Sequence, residues 1–387
     1  MRIVQVSAHY PPDFVSGGTL IPQRLARSVS RAGHTSAVFA GDVNSLEPLD
    51  RQVTHDGNIE ISWIGISSFL AWDNRANFDN KDVARAFDDY LADIAPDIVH
   101  LHSLQTFGSE LVTIAARHGA KVVVSMHDFW WVCARQFLVD RDMHPCSPVV
   151  SCGRCQCAVS HEWLMERNQT LARDLAAAHA IIVPSHTMKT ALEANGIDPA
   201  TMTVIPNGIT GKDGVELTRT GPVRFMYAGG TDALKGWDVL REALDLLPRD
   251  LDIEFDIYGR ASGVPDWVTI RDAYHPDEAG KVFASHDVLV VPSLARESHS
   301  MITREALAAG MTVICSDSFG PEEAIANGVN GRVVQAGDAR ELAAAIGDLA
   351  DRETAHKLQN KGSSSEIIDP DEQMRRHLEL YLSLIHI

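Results

Sequence analysis

What this 387-residue chain lacks narrows the reading first. No apolar run approaches the roughly 18–20 residues that cross a bilayer; "HDVLVVPSLA" is far too short. The start, "MRIVQVSAHYPP", has neither the apolar core nor the small-residue cleavage site of a secretory leader. A cytoplasmic protein is therefore expected, soluble or held peripherally at the inner face of the membrane. Basic charge is scarce: 34 Lys and Arg face 52 Asp and Glu, a formal charge of −18. That balance argues against a nucleic-acid partner. Neither the G-x-G-x-x-G dinucleotide fingerprint nor a Walker A loop occurs. Cysteine is sparse too, six in all, yet five of them lie between Cys133 and Cys157.

Short apolar runs alternating with helical patterns fill most of the chain. "RIVQVS", "TSAVFAG", "PDIVHLH", "KVVVSM" and "AIIVPS" read as strands, with helices such as "TLIPQRLARSVSRAGH" and "HTMKTALEANG" between them. The pattern restarts after "VIPNGI", with "VRFMYAGG", "LDIEFDIYG", "HDVLVVPS" and "MTVICSD". Continuous apolar strands separated by helices signal parallel sheets covered on both faces. The expected fold is α/β, two doubly wound parallel-sheet domains facing across a cleft. The domains are expected at 1–205 and 206–370, with a cysteine-rich loop at 129–160. A C-terminal helix at 371–387 is expected to pack back on the first domain. The final "SLIHI" is given no functional weight.

Ligands of such sheets bind beyond the carboxyl ends of the strands. His127, Gly229 and Gly230, Tyr258 to Arg260, and the run from Pro292 to Ser300 all follow strands. Gly17 and Gly18, in "HYPPDFVSGGTL", allow close backbone approach to a ligand or merely a turn into a helix. In "RESHSMITREA", Glu297 and Glu305 stand eight positions apart. A glycosidase pair needs carboxyl groups about 5–9.5 Å apart. With a helix starting near Met301, Glu297 falls on the loop and Glu305 one turn inside. No second Asp or His sits at metal-ligand spacing. The remaining functional reading is hydroxyl binding, since a carboxylate accepts from a vicinal diol and a helix N-terminus offers N–H groups to a diphosphate. The plain alternative is a solvated helix face.

"PSLARESHSMITREALAAGMTVICSD" resembles the Glu-x7-Glu signature of retaining nucleotide-sugar glycosyltransferases of family 4, which have the two-domain GT-B fold. "YPPDFVSGGTLIPQRLARSVSRAGH", "VVVSMHD", "VIPNGI", "YAGGTDALKGWDVLREAL" and "NGVNGRVV" resemble further segments of that family, in its order and spacing. The resemblance implies a metal-independent transfer from a UDP- or GDP-linked sugar to a glycan or lipid-linked acceptor, with no cofactor required. It makes His127, Lys235 and Glu297 catalytic and Gly17, Gly18, Gly229, Ser300, Met301 and Glu305 donor-binding. Glu305 would hold the ribose, and Lys235 would neutralise the leaving diphosphate. One departure stands out: Gly230 occupies the place where the family commonly carries an Arg. A non-catalytic nucleotide-sugar-binding protein, or an epimerase or phosphorylase on the same architecture, are the rival readings.

The loop "DFWWVCARQFLVDRDMHPCSPVVSCGRCQCA" lies where the family binds acceptors, which makes Trp130, Trp131 and Arg135 acceptor candidates, with core packing the alternative for the tryptophans. Cys133, Cys146, Cys152 and Cys155 would supply a structural zinc, with Cys157 spare. Free thiols and a reversible disulfide are the competing readings of the same cluster.

Overall fold

The computed structural model describes residues 1–12, 17–67, 71–155, 157, 159–210, 221–275 and 278–385, without the side chain of Cys152. The chain forms two compact units. One comprises Met1–Gln136, Pro148–Asn207 and Pro370–Ile387; the other comprises Phe137–Ser147 and Gly208–Asp369. The second unit begins at Gly208, inside the "VIPNGI" joint, and the chain reaches it once earlier through the middle of the cysteine-rich loop.

The first unit holds β1 (Arg2–Ser7), β2 (Thr35–Asp42), β3 (Arg51–Asp56), β4 (Ile59–Gly65), β5 (Ile98–Leu101), β6 (Lys121–Ser125), β7 (Ala180–Val183) and β8 (Met202–Val204). They form one sheet in the order β3-β4-β2-β1-β5-β6-β7-β8. All neighbours are parallel except β3 and β4. The inner strands are apolar and covered on both faces; every residue of β5 and β7 is buried. β3, "RQVTHD", is exposed along most of its length, as a polar edge strand should be.

The helix Leu20–Arg31 lays Ile21, Leu25 and Val29 on this sheet. The last helix, Pro370–Ile385, packs into the same core: Met374, Tyr381 and Leu384 meet Ile3, Val29, Ile98 and Val123. The final "SLIHI" thus contributes a buried side chain, Leu384, where no role was assigned to it.

The second unit holds β9 (Val223–Tyr227), β10 (Ile253–Tyr258), β11 (Thr269–Arg271), β12 (Val288–Val291), β13 (Thr312–Ser316) and β14 (Gly331–Val334). Its six strands run parallel in the order β11-β10-β9-β12-β13-β14. Val223, Phe225, Leu240, Leu244, Val290 and Ile346 are among the core on one side of it. Leu289, Ala306, Met311 and Val313 belong to the core on the other. Among the described residues, no helix is long and apolar enough to cross a membrane.

Candidate active site

In the second unit the strand ends carry charge. Lys235 closes a short turn, Ala233–Lys235, whose start is capped by Asp232 accepting from the Leu234 N–H at 2.7 Å. Lys235 Nζ lies 2.9 Å from Glu297 Oε1, and the Ser293 hydroxyl donates to the same oxygen at 2.6 Å. The backbone around Glu297 is pinned: its N–H donates to Ser318 O, and its carbonyl accepts from the Gly320 N–H. Burial alone would raise the Glu297 carboxyl, but the Lys235 ammonium and the hydroxyls of Ser293 and Ser300 hold it below the ordinary range. In return, the Glu297 charge raises Lys235 above its usual value. A half-buried carboxylate and a lysine whose side chain is 44 % exposed thus stay charged together.

The helix Met301–Ala308 begins immediately afterwards, at Ser300, whose backbone is left-handed with φ 57°. Ser300 Oγ lies 2.9 Å from Thr303 Oγ1. Glu305 sits one turn inside, half-buried, beside Tyr274; burial and then the Glu305 charge push that phenol well up. Gly229 is sterically required: a Cβ there would come within 2.5 Å of Tyr227 Oη, which donates to Gly230 O at 2.6 Å. So Lys235 and Glu297 are in direct contact, and Ser300, Met301 and Glu305 follow on the adjoining helix start. Arg260 is exposed on its strand end. Ser293 lies in the run from Pro292 to Ser300 picked out above, though without a role of its own; Tyr227 was not foreseen. Ser293 had a signal, a small hydroxyl two residues past the apolar strand β12.

In the first unit the ends of β5 and β6 gather histidines. His127 Nε2 lies 3.0 Å from His102 Nδ1, and the two rings stack at 5.3 Å. His102 Nε2 lies 2.8 Å from Gln5 Oε1. His100 bridges Tyr381 Oη at 2.6 Å and Ser125 Oγ at 2.7 Å. Burial pushes His127 down to about 4 and His100 and His102 well below the usual histidine range. Gly18 lies over His127: a Cβ there would sit 3.4 Å from that of the histidine, while Gly17 is exposed. A small pocket within this unit is lined by His127, Ser125, Asn207, Gln373 and His377.

The candidate acceptor residues part ways. Trp130 is only 4 % exposed, with Arg167 stacked 5.3 Å over its ring and Trp131 edge-on at 5.1 Å, which is core packing. Arg135 is half-buried, its guanidinium 5.7 Å over the ring of Trp72. The cysteines also divide. Cys133, Cys155 and Cys157 lie in the first unit and Cys146 in the second. Cys155 Sγ is 2.8 Å from Cys157 Sγ, and the Cys157 thiol draws the Cys155 thiol down to about 6. Cys157, the spare one in the sequence reading, is therefore the partner of Cys155. Among the described residues, no three His, Cys, Asp or Glu side chains converge as a metal set. The side chain of Cys152 lies outside them.

The family model "Glycosyltransferase Family 4" matches residues 15–210, and "Glycosyl transferases group 1" matches residues 222–352. A glycogen synthase of Mycobacterium tuberculosis is 25 % identical over 382 residues, covering 91 % of this chain and 86 % of that protein. A D-inositol 3-phosphate glycosyltransferase of Paenarthrobacter aurescens is 31 % identical over 144 residues, but the match spans only 33 % of this chain and 35 % of that relative. Among solved structures, the sucrose-phosphate synthase of Thermosynechococcus elongatus superposes with a TM-score of 0.74 at 18 % identity, over 99 % of this chain and 98 % of that one. The Anabaena Alr3699/HepE protein, solved with UDP and glucose, gives 0.65 at 15 % identity over 99 % and 100 %. The two α/β units, the Lys235–Glu297 pair ahead of a helix start and the two family matches agree: the chain belongs to Glycosyltransferase Family 4.

Proposed function

We propose that the protein transfers a glycosyl group from a nucleoside-diphosphate sugar to a hydroxyl of a glycan or lipid-linked acceptor, with retention of configuration and without a metal. The observation that carries this reading is the Lys235–Glu297 contact set immediately before the helix Met301–Ala308. A cation held at one edge and the free N–H groups of a helix start suit a diphosphate. Glu305, one turn in, suits the two hydroxyls of a ribose. Lys235 would take up the charge that develops as the diphosphate leaves, and a leaving phosphate oxygen would accept the acceptor's proton, so the chain supplies position and charge rather than a base. Glu297 would orient Lys235 and meet sugar hydroxyls. The solved relative holding UDP and glucose supports a UDP-linked donor as the first to try.

A binding protein without turnover is the second reading, and one observation favours it. Gly230 stands where the family commonly has an Arg, and its φ of 73° strains any other residue there. The second cation is therefore missing from that position.

Thermal unfolding with UDP, GDP, ADP and their sugar conjugates tests the donor site, because a ligand that binds only the folded state raises its stability. One nucleotide is expected to stabilise the wild type, and Glu305→Ala to lose that shift. Stabilisation without turnover across acceptors would select the binding protein. No stabilisation by any nucleotide would refute both.

A further inference from the structure

We propose that Gln5 and His102 are positioning residues that hold His127 in its Nε2-protonated tautomer and fix the plane of its ring. The consequence for transfer rests on the catalytic role that the family resemblance implies for His127; the geometry does not. β1 and β5 are neighbours in register, with Gln5 opposite His100. His100 and His102 are two residues apart along the chain, and their rings lie 4.1 Å from each other. Gln5 offers His102 only an oxygen, at 2.8 Å, and an amide oxygen can only accept. The proton of His102 must then lie on Nε2. His102 is buried and neutral, so it carries one N–H, and its Nδ1 is an acceptor. The group 3.0 Å from that Nδ1 is His127 Nε2, which has to donate. Once it does, the lone pair of His127 sits on Nδ1. That nitrogen can then accept a hydrogen bond but cannot donate one.

The orientation is braced from the far end of the chain. His100 packs against His102 and holds both Ser125 at the end of β6 and Tyr381 on the last helix. His377, from the same helix, lies 5.8 Å from His100 with its ring tilted by 33°. A ring clamped on both sides loses less freedom when substrate arrives.

The direct test is nitrogen NMR of the full chain with labelled histidine at pH 7, the His127 signal being assigned by its loss in His127→Gln. The expected result is a protonated Nε2 and an unprotonated Nδ1; the reverse overturns the proposal. Gln5→Leu removes the acceptor that orients His102 and is expected to change the His127 tautomer; an unchanged tautomer also overturns it. His102→Phe is expected to lower kcat/KM for the donor about tenfold, with His102→Asn, which restores an acceptor, recovering part of the loss. If His102→Phe does not fold, the wild-type and Gln5→Leu spectra still decide. If the tautomers behave as expected while turnover is untouched in folded variants, the positioning stands and the catalytic role of His127 fails. If no nucleotide-sugar is turned over at all, the proposed function fails and the spectra remain decisive for the tautomer.

Discussion

The two units end their sheets in opposite chemistry. Beyond β9 and β12 the second unit places an ion pair, Lys235 with Glu297. At the ends of β5 and β6 and just past them the first unit places His100, His102 and His127 with Ser125, most of them buried, all hydrogen-bonded and all uncharged in that setting. The difference follows from the partners. A lysine keeps its charge when a carboxylate sits beside it. Histidines packed under one another can keep neither charge, since burial and mutual repulsion both favour the neutral ring. One unit is therefore suited to balance a large negative charge, the other to place neutral groups of fixed direction.

Acid should break this contrast first. His100, His102, His127 and His377 are all pushed below their ordinary value by burial. The unfolded chain binds a proton at each below about pH 6.5, and the folded chain resists until well below that, to about 4 for His127 and His377, so stability falls as pH drops through that window. Asp128 works the other way: burial raises it to about 6, so the folded state takes up one proton and regains stability below that value. His9, His179 and His299 are depressed by burial as well, so the histidines outnumber the raised carboxyls Asp128 and Glu322 and acid is expected to destabilise the fold. Urea midpoints from pH 7.5 to 5 check this; a flat profile would mean the histidines are not held neutral.

Lys235→Ala comes next. It removes the charge proposed to stabilise the leaving diphosphate and is expected to cut kcat by about 10²–10³, with a smaller change in donor KM. Steady-state kinetics with the stabilising donor decide it, and an unchanged kcat would remove Lys235 from the chemistry. The smallest effect is sought in the first unit. Tyr381→Phe deletes one hydroxyl from a buried network and should cost about 1–2 kcal/mol in urea unfolding. A loss near zero would show that the last helix is held by its apolar face alone.

Much of this fold was legible because its strands are apolar and short and its helices periodic. β1 lies at Arg2–Ser7, and the helix after the glutamate motif begins at Met301, where the residue patterns put them. The β3–β4 hairpin was missed. Its two-residue Gly57–Asn58 loop is a good turn signal, but β3 is polar and mostly exposed, so it carries no apolar pattern to notice. Lys235, Glu297 and Glu305 were readable from motif and spacing. Gln5, His102 and Tyr381 were not, although "IVHLH" contains a clue: alternate histidines on one strand share a face.

What the residues settle alone is local and periodic. They set the parallel-sheet class, the break within "VIPNGI" and the order of carboxylates and lysine along the second unit. What only the tertiary structure settles is which distant atoms share a proton or a charge. Lys235 meets Glu297 across 62 positions, and Tyr381 meets His100 across 281. Hydrogen bonds act over about 3 Å whatever the separation in sequence. Such partners are chosen by strand order and helix packing, and these exist only once the cores have formed.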